Sequence, residues 1–188
     1  MPLRQTWRDN GTEPGFRPGE ARVNWTADAL NFQFRFHGRP TGNRARRLNE
    51  RTWELGDIAE VFLQITGCRE YWEFHVTPEN QRLQLHWPPH GLAAFRAGEQ
   101  PFETFLLGPE ASLESTTTVT AEGWSGSLAI PSAVLGLTEL KADQPFRTAV
   151  CRYDYIGAAE PVCSSTAPLR ELAFHRPDAW MDLVLSPS

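Results

Sequence analysis

The chain has 188 residues and a formal net charge of −5, with 40% hydrophobic and 22% charged residues, ordinary usage that excludes wholesale disorder. The acidic balance excludes a general nucleic-acid binder, which needs a basic surplus. No stretch reaches the roughly 18 apolar residues of a membrane helix and no apolar h-region opens the sequence, so no membrane partner is expected and a cytoplasmic location is, or an extracellular one for an excised module.

Alternation with period two runs through the chain. Residues 30–36 set Leu30, Phe32, Phe34 and Phe36 against Asn31, Gln33 and Arg35, the pattern of a half-buried strand. Residues 44–51 are compatible with one short helical turn. Residues 58–65 are almost continuously apolar, as in a central strand covered on both sides. Residues 71–77 put Trp72, Phe74 and Val76 on one face, with Glu73 and His75 on the other. Residues 82–87 align Leu83, Leu85 and Trp87; residues 113–121 are rich in threonine, and 124–130 alternate again. Pro131 is placed to open a helical turn over 132–137, and strands are predicted over 147–155 and 180–185. Eight strands joined by turns such as Trp87-Pro88-Pro89 and Glu122-Gly123, with almost no helix, predict an all-β fold. The expected architecture is an antiparallel two-sheet β-sandwich, jelly-roll-like. No repeat or composition shift divides the chain, so one domain over 1–188 is expected. Segments 37–56, 88–112 and 156–178 are long and irregular, the kind of loop that carries function.

Several chemistries are disfavoured by what the sequence lacks. The Arg44, Arg46, Arg47 and Arg51 cluster reads as a solvated loop surface. Cys68, Cys151 and Cys163 are too far apart for a disulfide framework or a CxxC site. His86 and His90 have helical metal-pair spacing, but Trp87-Pro88-Pro89 between them forbids a helix, and there is no HExxH or GxSxG. No metal site is expected, and His175 reads as a structural loop residue. Glu60 and Glu73 face each other if their strands are neighbours, as glycoside hydrolysis needs. The positive charge of Arg152, however, would suppress the raised pKa of a general acid, so a structural or ligand-gripping cluster is favoured over catalysis. Trp72, Trp87 and Trp124 sit on apolar strand faces and read as core. Trp53 lies in the polar stretch RTWELGD, where its ring could form a plate for the C–H face of a sugar.

The order of ARVNWTADALNFQFRFHG, WELGDIAEVFLQI, EYWEFHVTPEN, WSGSLAIPSAVLG, FRTAVCRYDY and FHRPDAWMDLVL resembles the family 9 carbohydrate-binding modules and the wider DOMON-like sandwich superfamily. The resemblance spans most of residues 20–185. It implies a bacterial, non-catalytic module that binds mono- or oligosaccharides, serves carbohydrate breakdown and is often attached to glycoside hydrolases. Residue by residue it implies Trp53, Asp57, Glu60, Glu73 and Arg152 as sugar contacts, with His75 beside them by strand alternation, all on an open concave sheet face. Two departures stand out. Ser165 and Thr166 occupy the late loop where sugar-binding members carry a second tryptophan, and Ala149 replaces the asparagine that precedes the late arginine by three residues. The resemblance leaves room for structural calcium, but no dense Asp/Asn loop offers a place for it, and no cofactor is assigned. A sandwich with no sugar ligand is the main alternative. A hydrolase using Glu60 and Glu73 ranks below it, and a haem-binding DOMON domain, for which only Met1 and Met181 could serve as methionine ligands, ranks last.

Overall fold

The computed structural model describes residues 1–157 and 160–186. Its strands are β1 (Gly19–Trp25), β2 (Ala29–His37), β3 (Ile58–Ile65), β4 (Tyr71–Val76), β5 (Arg82–Trp87), β6 (Glu114–Val119), β7 (Gly123–Pro131), β8 (Pro145–Asp154), β9 (Val162–Ser165) and β10 (Met181–Val184), with one α-helix, α1 (Gly91–Arg96). A four-stranded sheet runs β1-β2-β7-β6. The second sheet runs β10-β8-β3-β4-β5, and β9 pairs with the far half of β8. All the strand pairings are antiparallel. The expected all-β sandwich is what forms.

Period-two alternation builds the layer between the sheets. Leu30, Phe32, Phe34 and Phe36 of β2 turn inward onto Ala59, Val61 and Leu63 of β3 and onto Trp72, Phe74 and Val76 of β4. Each fully buried Phe or Leu side chain contributes about 1.5–3 kcal/mol through the surface it withdraws from water. The Trp124 ring meets Phe34 and Phe36 edge-on at 5.4 and 5.0 Å.

A second apolar layer forms on the other side of the larger sheet. Phe62, Tyr71, Leu83, Leu85, Trp87 and Cys151 project outward, away from the smaller sheet. They are roofed by Phe102 and Phe105 from the segment after α1 and by Leu169, Phe174 and Trp180 from the segment after β9. This corrects the expectation of an open concave face: the chain's own loops cover most of it. It also explains why β3 is buried along both faces.

Three local expectations need amendment. Residues 44–51 form no helix; a 3-10 turn lies just beyond them at Thr52–Glu54. The turn after Pro131 is a 3-10 turn at Ser132–Leu135. Strands β1 and β9 and helix α1 add to the predicted set.

Candidate functional site

The outer face of β3 and β4 carries the polar centre of the molecule. Antiparallel register places Glu60 opposite His75, and Glu73 points the same way two residues earlier on β4. All three side chains are buried. His75 Nε2 lies 2.8 Å from Glu73 Oε1 and 3.0 Å from Glu60 Oε1. On the far side of its ring, His75 Nδ1 pairs with Thr52 Oγ1 at 2.7 Å. Trp87 Nε1 donates to Glu73 Oε2 at 2.7 Å, whereas Glu60 Oε2 has no partner among the described residues.

Thr52 and Trp53 are delivered by the loop between β2 and β3. Asn43 Nδ2 donates to the carbonyls of Thr52 and Asp57, and the Tyr155 hydroxyl donates to the Trp53 carbonyl. Gly56, at φ +142°, lets the strand entry press onto the Gly42 backbone; a Cβ there would lie 2.1 Å from the Gly42 carbonyl oxygen. The fixed loop sets the Trp53 ring edge-on to His75, 5.9 Å between centroids.

The trio holds unequal charges. Burial opposes the His75 charge, but the hydrogen bonds and charges of Glu60 and Glu73 outweigh it and raise the pKa to about 9, keeping the imidazolium. Burial pushes Glu60 up to about 7, more than His75 pulls it down. Glu73 experiences the same burial, yet His175, His75 and the Trp87 N–H together hold it at about 2. The asymmetry has a structural cause: both Glu73 oxygens are bonded, while one Glu60 oxygen is not.

Beside the trio lies a cavity of about 160 Å³. Glu60 and Glu73 line it, Trp53, Trp87, Phe95, Phe102 and Tyr153 wall it, and His175 and the exposed Arg96 complete the rim. A larger trough of about 470 Å³ crosses the outer face of the four-stranded sheet, among Arg22, Gln33, Arg35, Thr116 and Ser127. The one ring there, Phe34, is turned into the core, so the trough offers no aromatic wall and no buried charged group. The smaller cavity is therefore the candidate site.

Of the six residues anticipated from the sequence, the structure brings four together: Trp53, Glu60, Glu73 and His75. Asp57 and Arg152 lie elsewhere. Asp57 accepts from the backbone N–H groups of Thr41, Gly42 and Tyr155, clamping two loops at 2.5, 3.0 and 2.6 Å. Arg152 pairs in register with Ala59, which turns it to the between-sheet side. There it binds Asp154 at 2.9 Å, donates to the carbonyls of Arg17 and His37, and stacks its guanidinium 5.0 Å from the Phe36 ring centre. Arg17 also binds Asp154, closing that end of the sandwich. Ser165 is buried against Cys151, and Thr166 accepts from the Val150 N–H, so the second aromatic wall comes from Trp87, Phe95 and Phe102 instead. Sequence reasoning does not find these three or His175 as site residues. For Trp87 the signal exists, since its parity matches the outward Leu83 and Leu85.

Among the described residues, Glu60, Glu73 and His75 form a group that could hold a metal ion, with one ligand atom from each lying within 4.8 Å of the others. An imidazole with two carboxylates suits a transition ion better than calcium. The two short contacts from His75 Nε2 are, however, satisfied by the proton that the imidazolium carries.

No protein-family profile and no curated protein sequence matches the chain. Solved structures do. A candidate carbohydrate-binding protein from Bacteroides uniformis superposes with a TM-score of 0.76 at 16% identity, over 99% of this chain and 85% of that one. A family 9 carbohydrate-binding module from Caldicellulosiruptor kristjanssonii, in complex with cellotriose, gives 0.65 at 12% identity, over 94% and 78%. In complex with glucose, a family 9 module from that organism gives 0.64 at 12%, over 94% and 81%. The chain thus has the β-sandwich fold of the family 9 carbohydrate-binding modules.

Proposed function

We propose that the chain is a non-catalytic binding protein that takes a single sugar ring, as a monosaccharide or the end of an oligosaccharide, into the cavity between Trp53, Glu60 and Trp87. The observation that carries this is the cavity's size and lining. About 160 Å³, open at its rim, is of single-ring scale and leaves no room for a run of several. Aromatic walls suit the C–H faces of a pyranose, and buried carboxylates accept from its hydroxyls.

Catalysis by Glu60 and Glu73 is disfavoured by what lies between them. A glycosidase carboxyl pair flanks the scissile bond. Here both carboxylates engage the same imidazole nitrogen, so His75 takes the place that the scissile bond would need.

Calorimetric titration with a panel of aldoses, paired with tryptophan fluorescence, tests the proposal. Saturable one-to-one binding of a monosaccharide, weakened by Trp53→Ala, is the expected result. A panel giving neither heat nor fluorescence change would overturn it in favour of a purely structural sandwich.

A further inference from the structure

The cavity's rings form a continuous arc. Trp53 to Phe102, Phe102 to Phe95, Phe95 to Trp87 and Trp87 to His175 succeed one another at centroid separations of 5.6, 5.6, 5.9 and 6.1 Å. At the base of this arc are two buried carboxylates against one imidazolium, and one oxygen of Glu60 accepts nothing among the described residues. With both carboxylates ionised the trio carries one uncompensated negative charge away from water, which is costly.

We propose that the ring selected by this cavity carries a free ammonium group, that is, an amino sugar, with the ammonium bound to the Glu60 carboxylate inside the aromatic arc. The inference rests on the single-ring reading above. A neutral hydroxyl would supply a donor but no charge. An ammonium supplies donors and balances the trio, and ring faces attract cations by about 2 kcal/mol or more once water is excluded. The titratable and charged groups facing Glu60 are His75 and Glu73 on β4, Cys151 and Tyr153 on β8, Arg96 on α1 and His175 after β9. Arg96 opposes a cation but is exposed at the rim, where water and salt screen it. Burial holds His175 below its usual pKa, against the pull of Glu73, 3.7 Å away. An anionic sugar would sit against the buried carboxylates. A divalent ion would have to displace the His75 proton and would leave the aromatic arc without a role.

The test is calorimetric titration of the full chain at pH 7.5 with glucosamine, glucose, N-acetylglucosamine and zinc chloride, each alone, and with glucosamine again after saturation with zinc. Glucosamine is expected to bind about ten-fold or more tightly than glucose and N-acetylglucosamine, since acetylation removes the charge. Glu60→Gln, its fold checked by near-ultraviolet circular dichroism, is expected to bring the amine and neutral sugars to within about two-fold; Phe95→Leu, which thins the arc without touching the trio, should reduce the same ratio. Equal affinity for glucose and glucosamine overturns the amine assignment and leaves the sugar-binding proposal standing. Failure of every sugar overturns both. Zinc binding that blocks sugar binding overturns the amine assignment in favour of a metal.

Discussion

Replacing His75 with leucine removes the one cation between Glu60 and Glu73, at 3.0 and 2.8 Å, and leaves Thr52 Oγ1 facing an apolar side chain. Taking one partner from a buried ion pair costs about 3–5 kcal/mol, because the remaining charge must stay unpaired or take up a proton. For a chain of this length each kcal/mol lowers the melting temperature by about 2–4 °C, so His75→Leu should melt roughly 6–20 °C lower at pH 8. Two features separate this electrostatic cost from simple loss of packing. The deficit should shrink at pH 5, where protonation of Glu60 relieves the repulsion. Adding Glu60→Gln to His75→Leu should also recover part of the loss at pH 8, although Glu60→Gln alone destabilises or is neutral there. Thermal melts monitored by circular dichroism at both pH values decide the matter. An equal deficit at pH 5 and pH 8 would refute the charge argument, and no deficit at all would refute the burial of the trio.

The pH dependence of the unmodified chain comes from the same groups. Glu60, raised from 4.5 to about 7, and His75, raised from 6.5 to about 9, hold protons more tightly folded than unfolded; their contribution is present at low pH and is lost as pH rises from 4.5 to about 9. Glu73, lowered from 4.5 to about 2, contributes above 4.5 and loses that contribution as pH falls to about 2. Urea midpoints measured from pH 3 to 9 should therefore peak on the acid side, near pH 5, and a peak at pH 8 would contradict the assignment. Arg152→Met should destabilise toward the low end of about 3–5 kcal/mol, since Arg17 still serves Asp154, and should leave sugar affinity in the folded variant unchanged. A selective loss of sugar affinity in that variant would return Arg152 to the binding site. Of the three free cysteines only Cys68 is exposed, while burial pushes the Cys163 thiol up to about 12, so a thiol reagent should modify one cysteine quickly in native protein and three after unfolding.

The fold is legible in the sequence because strand burial here obeys side-chain parity. Leu30 through Phe36 and Trp72 through Val76 face inward as their alternation demands, and Glu73 and His75 emerge together on the opposite face. Strand β1 is hidden because its alternation is carried by Gly19 and Ala21, too small to register as an apolar stripe. Helix α1 is hidden behind Pro88 and Pro89, which end β5 but carry no signal for a helix beginning at Gly91. The site is legible only in part, and parity explains the errors too. Asp57 and Glu60 are three positions apart, so no regular strand can put them on one face. Parity groups Arg152 correctly with Thr148 and Asp154, but its relation to Glu60 depends on the register between β3 and β8. A shift of one residue would put Arg152, rather than Cys151, opposite Glu60. Register between strands nearly ninety residues apart is set by the whole core and is not written near either strand.

The covering of the outer face ties these observations together. An open sheet face would leave Glu60, Glu73 and His75 in water, where neither a lone oxygen nor a displaced pKa carries much energetic weight. Phe102 and Phe105, with Phe95 beside them, lay an apolar roof over part of that face, and Phe174 and Trp180 cover another part. Water is excluded, the charges interact more strongly, and the trio tolerates burial because one imidazolium bridges two carboxylates. The same roof cuts a broad concavity down to a cavity of about 160 Å³. On the proposed function, selectivity is therefore a property of segments 88–112 and 166–180 as much as of the sheet beneath them. In a sandwich of this kind, exchanging those segments should change what is bound sooner than any substitution in the strands that carry the carboxylates.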